Sequence, residues 1–204
     1  MGLAAGTGRA GLENLRQSEM GKTYDTLDEN LTAWLKSQPV FFVSTAPLAP
    51  EGSINCSPKG NREEFAVLGP RTVAYLEQTG SGVETIAHLR ENGRIVLMFC
   101  AFEGPPRIVR LHCIGRVATT GSSEFATIAN GFPGSRGVGV RSVIVVEVAR
   151  ISDSCGYGVP LMSFNEHRPT MDQWSSRKGS NGIREYWRDK NQSSIDNLEA
   201  LDLP

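Results

Sequence analysis

Two short stretches concentrate residue types suited to holding an anion. The first is "INCSPKG", Ile54 to Gly60. A strand-like run ends at Ser57, and Lys59 then stands between Pro58, which locks its own φ, and Gly60, which permits conformations other residues avoid. A cation held at such a defined kink suits an anion. The second is "TGSG", Thr79 to Gly82, which feeds a helical pattern. Its glycines let backbone N–H groups come close to a ligand, and a helix start adds unpaired donors and the positive end of the dipole, which together suit a phosphate. No Gly-Lys-Ser/Thr follows, so this is not a Walker loop, and the spacing is not that of a dinucleotide fingerprint. A tight turn with an ordinary N-cap looks the same, so the loop gains meaning only where Lys59 lies beside it.

A third stretch is "RIVRLHCIGRV", from Arg107. Strict alternation puts Val109, Leu111, Cys113 and Val117 on one face, and Ile108, Arg110, His112, Ile114 and Arg116 on the other. The first face is core. The second suits a solvated surface, a subunit interface or the wall of an anion site, with Arg110 the better site candidate and Arg116 a surface salt-bridging residue. Beyond these, catalytic groups are sparse. His88, His112 and His167 lack metal-ligand spacing, so no metal site is expected, and His88 reads as structural. No nucleophile elbow is visible, and no residue is assigned as catalytic acid or base. Ligand-binding loops without an acid–base set point to chemistry carried by a cofactor.

The elements that must position these residues are mostly strands. Dense β-branched and aromatic runs start at Val40, Ser53, Glu64, Thr72, Arg94, Arg107 and Ser142, separated by turn residues. With so few helices between them, they predict an antiparallel sheet closed as a barrel rather than a βαβ fold. Leu27, Leu31, Trp34 and Leu35 recur at helical spacing, with Thr26 or Asp25 as cap, ending before Pro39. A second helix follows the TGSG loop, with Ser81 and Glu84 spaced as a capping box and Gly93 as its stop. "REYWRDKNQSSIDNLEAL" reads as one or two short polar helices. The chain divides into an N-terminal extension (1–20), a barrel domain (21–151) and a C-terminal extension packing on the barrel (152–204).

Composition bounds the function. The 204 residues carry 21 Lys and Arg against 22 Asp and Glu, a net charge of -1, so no global field gathers nucleic acid or an anionic membrane. No apolar run reaches the roughly 18 residues that span a bilayer. Cys56, Cys100, Cys113 and Cys155 form no CxxC pair and read as buried, reduced thiols of a cytoplasmic protein.

In order, "INCSPKG", "YLEQTGSGVETIAHLRENGRIVLMF", "AFEGPPRIVRLHCIGRV" and "SCGYGVP" resemble the pyridoxamine 5'-phosphate oxidase-related, FMN-binding split-barrel family, in a branch with an N-x-S-P-K-G motif. The resemblance implies a mainly β fold: a six-stranded antiparallel split β-barrel with peripheral helices, forming a homodimer with FMN at the subunit interface. It implies that Ser57, Pro58, Lys59 and Gly60 lie against the flavin and its phosphate tail, that Thr79, Ser81, Gly82 and Thr85 meet the phosphate, and that Arg110 contacts the isoalloxazine ring. The implied activity is a flavin-dependent oxidoreductase of unassigned substrate. One departure matters: the biosynthetic oxidases open the short helix with an Arg-Lys pair, and here Glu84 and Thr85 stand there. A carboxylate beside a phosphate weakens binding unless Glu84 turns back onto its own N-cap. Pyridoxamine phosphate is therefore not the expected substrate, and a flavin-free split barrel serving as a binding protein is the alternative.

Overall fold

The computed structural model describes residues 21–60, 62–132 and 137–201. The N-terminal extension expected over 1–20 lies outside the described residues. The strands are β1 (Thr23–Tyr24), β2 (Val40–Thr45), β3 (Asn55–Gly60), β4 (Phe65–Gly69), β5 (Thr72–Gln78), β6 (Arg94–Cys100), β7 (Ile108–Thr119) and β8 (Val140–Ser154). The helices are α1 (Glu29–Ser37), α2 (Glu84–Glu91), α3 (Ser123–Ala129) and α4 (Thr170–Lys190). Every pairing is antiparallel, in the order β3-β2-β6-β7-β8-β5-β4, with the two-residue β1 on the far end of β8. The strands are somewhat more numerous than the six expected, and the half-barrel architecture with flanking helices is as the sequence predicts.

The sheet curls until its two ends meet through side chains rather than through backbone hydrogen bonds. Phe41 on β2 lies with its ring centroid 5.4 Å from Phe65 on β4 and 5.5 Å from Tyr75 on β5. Phe99 on β6 closes the aromatic cluster at 5.1 Å from Phe41. Such tilted and offset contacts add to the burial that holds the barrel shut. The seam between β3 and the opposite edge, formed by β4 and by the end of β5 (Leu76–Gln78) that β4 leaves unpaired, is thus a split in the barrel wall.

Several local expectations are corrected. Asp28, not Thr26 or Asp25, caps α1, its Oδ1 accepting from Leu31 N at 2.7 Å. The chain is still extended at Tyr24, which pairs with Ile151, and the N–H of Leu27 is engaged by Pro70 O. The SPKG segment is no kink: β3 pairs in unbroken register from Asn55↔Thr45 to Gly60↔Val40. An edge strand has one unpaired side on which a proline's missing donor costs no ladder bond. The short polar helices expected from Arg184 onward are the tail of the longer α4, which bends at Gly179 (φ 65°). Asn191 to Leu201 is irregular, because Ser194 Oγ takes the N–H groups of Asp196 and Leu198 that a helix would use.

Of the four cysteines, Cys100 and Cys113 are buried, with burial pushing the Cys113 thiol up to about 12. Cys56 is exposed, against expectation, because alternation on β3 turns Asn55, Ser57 and Lys59 inward and Cys56 outward. On β7 the expected faces appear, with Val109, Leu111 and Cys113 in the core and His112, Ile114 and Arg116 exposed. Ile183 and Trp187 of α4, with Ala200 and Leu201, join the barrel's core. Among the described residues, no helix is long and apolar enough to cross a membrane.

Candidate functional site

A groove of about 890 Å³ opens along the split between β3 and β5. That is within the roughly 300–1,000 Å³ of small-molecule sites. Its walls include Ser57, Pro58, Lys59 and Gly60 from β3, Thr79, Ser81 and Gly82 from the TGSG loop, and Thr85 from α2. The two stretches that the sequence marks as suited to an anion therefore line one groove. Arg110 does not join them. It lies on the outer face of β7, donating to Ser154 Oγ at 3.0 Å and paired in register with Met98 and Ser152. Arg116 forms the surface bridge expected of it, 2.8 Å from Glu124.

The groove's electrostatic centre is a cluster that the sequence reading missed. Lys59 Nζ lies 2.8 Å from Glu77 Oε2, and Arg141 Nη2 lies 3.1 Å from Glu77 Oε1. Glu77 and Arg141 are each 3% exposed, and Lys59 is 19% exposed. Burial by itself would push the Glu77 carboxyl up, but the two cations outweigh it and hold the carboxyl below its ordinary value. Two cations against one carboxylate leave a formal charge of +1 in a desolvated place. The Arg141 Nε has no hydrogen-bond partner among the described residues. The sequence did carry a signal: Glu77 ends the apolar run of β5 and Arg141 opens that of β8, one residue from Ser142, which pairs with Glu77.

Arg141 also shapes the loop. It donates to Gly82 O at 2.8 Å and to Gly80 O at 3.4 Å, and Asn191 Nδ2 donates to Gly80 O at 2.9 Å. In a planar trans peptide the following N–H points opposite to the carbonyl. Drawing these two carbonyls toward Arg141 therefore turns the N–H groups of Ser81 and Val83 away from it. Thr79 holds the loop's other end: its Oγ1 donates to Gly139 O at 2.6 Å and accepts from Trp187 Nε1 at 2.8 Å. With its proton engaged and its side chain buried, Thr79 is a strut of the loop.

The expected capping box does not form. Val83 occupies the N-cap of α2 without a side-chain bond, and the Glu84 carboxylate instead accepts from Ile195 N at 3.2 and 3.3 Å. The C-terminal segment thus supplies a backbone donor that competes with the helix's own. The helix stop is as expected, with Gly93 at φ +70° and its N–H on Leu89 O. His88 is fully buried, with Nδ1 2.9 Å from Thr45 Oγ1, in keeping with a structural histidine.

Residues present fit a phosphate-bearing flavin at the loop end of the groove. The fit rests on an orphaned buried guanidinium nitrogen and on the excess positive charge of the Lys59–Glu77–Arg141 cluster. Open space next to Gly80 and Gly82 leaves the approach to that backbone unobstructed.

Comparison with known proteins finds relatives of this chain. A sequence profile described as pyridoxamine 5'-phosphate oxidase matches residues 27–155. A pyridoxamine 5'-phosphate oxidase family protein of Aspergillus flavus, ustO, is 41% identical over 192 residues, covering 87% of this chain and 77% of its own length. Among solved structures, HupZ of Group A Streptococcus superposes with a TM-score of 0.46 at 22% identity, over 61% of this chain and 90% of its own. An FMN-binding protein of Syntrophomonas wolfei superposes with a TM-score of 0.43 at 15% identity, over 69% and 91%. By the profile match and the fungal relative, this chain belongs to the pyridoxamine 5'-phosphate oxidase family.

Proposed function

We propose that the protein binds FMN in the β3–β5 groove and acts as a flavin-dependent oxidoreductase. The observation that carries this reading is the convergence of the SPKG strand and the TGSG loop on a cluster of net charge +1, in which Glu77 and Arg141 are buried and Lys59 is part-exposed. A desolvated excess cation is costly alone and is relieved by a bound anion. Lys59 and Arg141 would hold the phosphate, and Ser57, Pro58 and Gly60 would line the rest of the molecule. When bound, FMN supplies hydride acceptance and donation at its N5. The protein's own part is to hold the ring, exclude water and keep positive charge close to it. Purified protein should be yellow, or should quench FMN fluorescence on titration. A colourless protein that leaves FMN fluorescence unchanged overturns the reading.

We also propose a homodimer. The outer face of β2, β6 and β7 carries Phe42, Met98 and Ile114 beside Arg110 and His112, with Ile114 56% exposed, and a two-fold contact would cover it. Sedimentation giving a 22.1 kDa monomer argues against it.

One observation favours the flavin-free alternative. The groove is lined by Glu64, Glu77, Glu84, Glu166 and Asp172, against the strong cations Lys59, Arg141 and Arg168. Under that reading wild type fails to bind FMN, and Glu84→Arg creates affinity. Sub-micromolar binding by wild type eliminates it.

A further inference from the structure

A chain of hydrogen bonds runs from the buried core to the groove wall. His88 Nδ1 lies 2.9 Å from Thr45 Oγ1, and Asn55 Nδ2 lies 3.2 Å from that oxygen and 3.1 Å from Thr85 Oγ1. Ser57 Oγ lies 2.9 Å from Asn55 Oδ1. Thr45, Thr85 and His88 are buried, while Asn55, Ser57 and Thr85 line the groove.

The inventory of donors gives this chain a direction. An amide nitrogen only donates, so Thr45 Oγ1 and Thr85 Oγ1 both accept from Asn55. Thr45 Oγ1 could accept a second bond, but its own proton has no acceptor other than His88 Nδ1 among the described residues, so it is given there and His88 is a neutral imidazole protonated at Nε2, a buried nitrogen without a partner among the described residues. At the other end the amide oxygen only accepts, so Ser57 must give it its proton. The distances agree, since the two contacts from the amide are the longer ones and the contact from the serine hydroxyl is shorter. Burial pushes the His88 imidazole down, which keeps it in the neutral form this direction requires.

We infer that Asn55 is a positioning residue that commits the Ser57 hydroxyl proton inward, so that Ser57 faces the groove as an acceptor and selects a ligand presenting an N–H or O–H there. The opposite amide orientation would reverse every bond: His88 would carry its proton on Nδ1, and Ser57 would be a donor selecting carbonyls or anions. The choice of ligand rests on the flavin reading, in which ring N3–H and the ribityl hydroxyls are the available donors. The direction of the chain does not.

The test has two readouts. Long-range ¹H–¹⁵N spectra of the full-length protein above pH 7, with His88 assigned through His88→Gln, should show His88 protonated at Nε2 and bare at Nδ1. In Asn55→Asp, which lacks both N–H donors, the proton should move to Nδ1. A wild-type Nδ1–H overturns the inference. In FMN titrations by fluorescence, Ser57→Ala should weaken binding by about 5–10-fold, the worth of one hydrogen bond. Unchanged affinity overturns the selection of a donor at Ser57. Should wild type bind no FMN, the flavin reading falls, and the His88 tautomer still decides the direction of the chain.

Discussion

Glu77→Gln separates the charge account of this groove from a merely structural one. The carboxylate is 3% exposed, with Lys59 Nζ at 2.8 Å and Arg141 Nη2 at 3.1 Å. Glutamine keeps the shape and removes the charge, so the cluster moves from +1 to +2. Removing one partner of a buried ion pair costs about 3–5 kcal/mol, because the remaining charge is left uncompensated. Lys59, at 19% side-chain exposure, sheds part of its share to water, which puts the expected loss at the lower end, about 3 kcal/mol. For a chain of 204 residues this corresponds to a fall in Tm of about 6–12 °C. Thermal unfolding followed by circular dichroism at pH 7 reads it directly. Two companion measurements make the test specific. Lys59→Met combined with Glu77→Gln returns the cluster to +1 and should recover about half of the loss. Adding inorganic phosphate should raise the Tm of Glu77→Gln more than that of wild type, since the anion then offsets two charges. A shift below about 2 °C in Glu77→Gln would refute the reasoning, as would a double variant no more stable than the single.

Other consequences follow from the same geometry. Acid should destabilise the fold in two stages. His88 is held below its ordinary value of 6.5, so the unfolded chain takes its proton first and stability declines as pH drops below about 6.5. Glu77 is held below 4.5, so its contribution is complete above 4.5 and is lost as pH falls through the folded value. Urea midpoints measured from pH 7 to 3 should show both declines, the lower one missing in Glu77→Gln. Gly156 sits at φ +64°, where an added Cβ would lie 2.6 Å from Arg107 N. Gly156→Ala should therefore cost about 2 kcal/mol or more in chemical denaturation. Trp187→Phe removes the 2.8 Å bond to Thr79 Oγ1, and a double-mutant cycle with Thr79→Val should return a coupling of about 1 kcal/mol.

What the sequence determined by itself was whatever depends on neighbours along the chain. Alternation over Ile108–Thr119 sorted core from surface, because side chains on a strand change faces at every residue. Gly93 announced the end of α2, because few other residues accept its positive φ. The blocks around SPKG and TGSG were enough to name the groove's walls. What the tertiary structure alone decided was how distant residues compete for the same bonds. Pro58 and Gly60 promised a kink, but pairing with β2 along the whole of β3 kept the strand straight through them. Ser81 and Glu84 had the spacing of a capping box, yet Ile195 N, 111 positions from Glu84, took the carboxylate. Lys59 looked like a lone cation, and the curl that brings β3 to the end of β5 left unpaired by β4 gave it Glu77 and, through Glu77, Arg141. Local spacing carries no information about which charges meet across a closing sheet, because that depends on strand order and on the curl that brings β3 to β5.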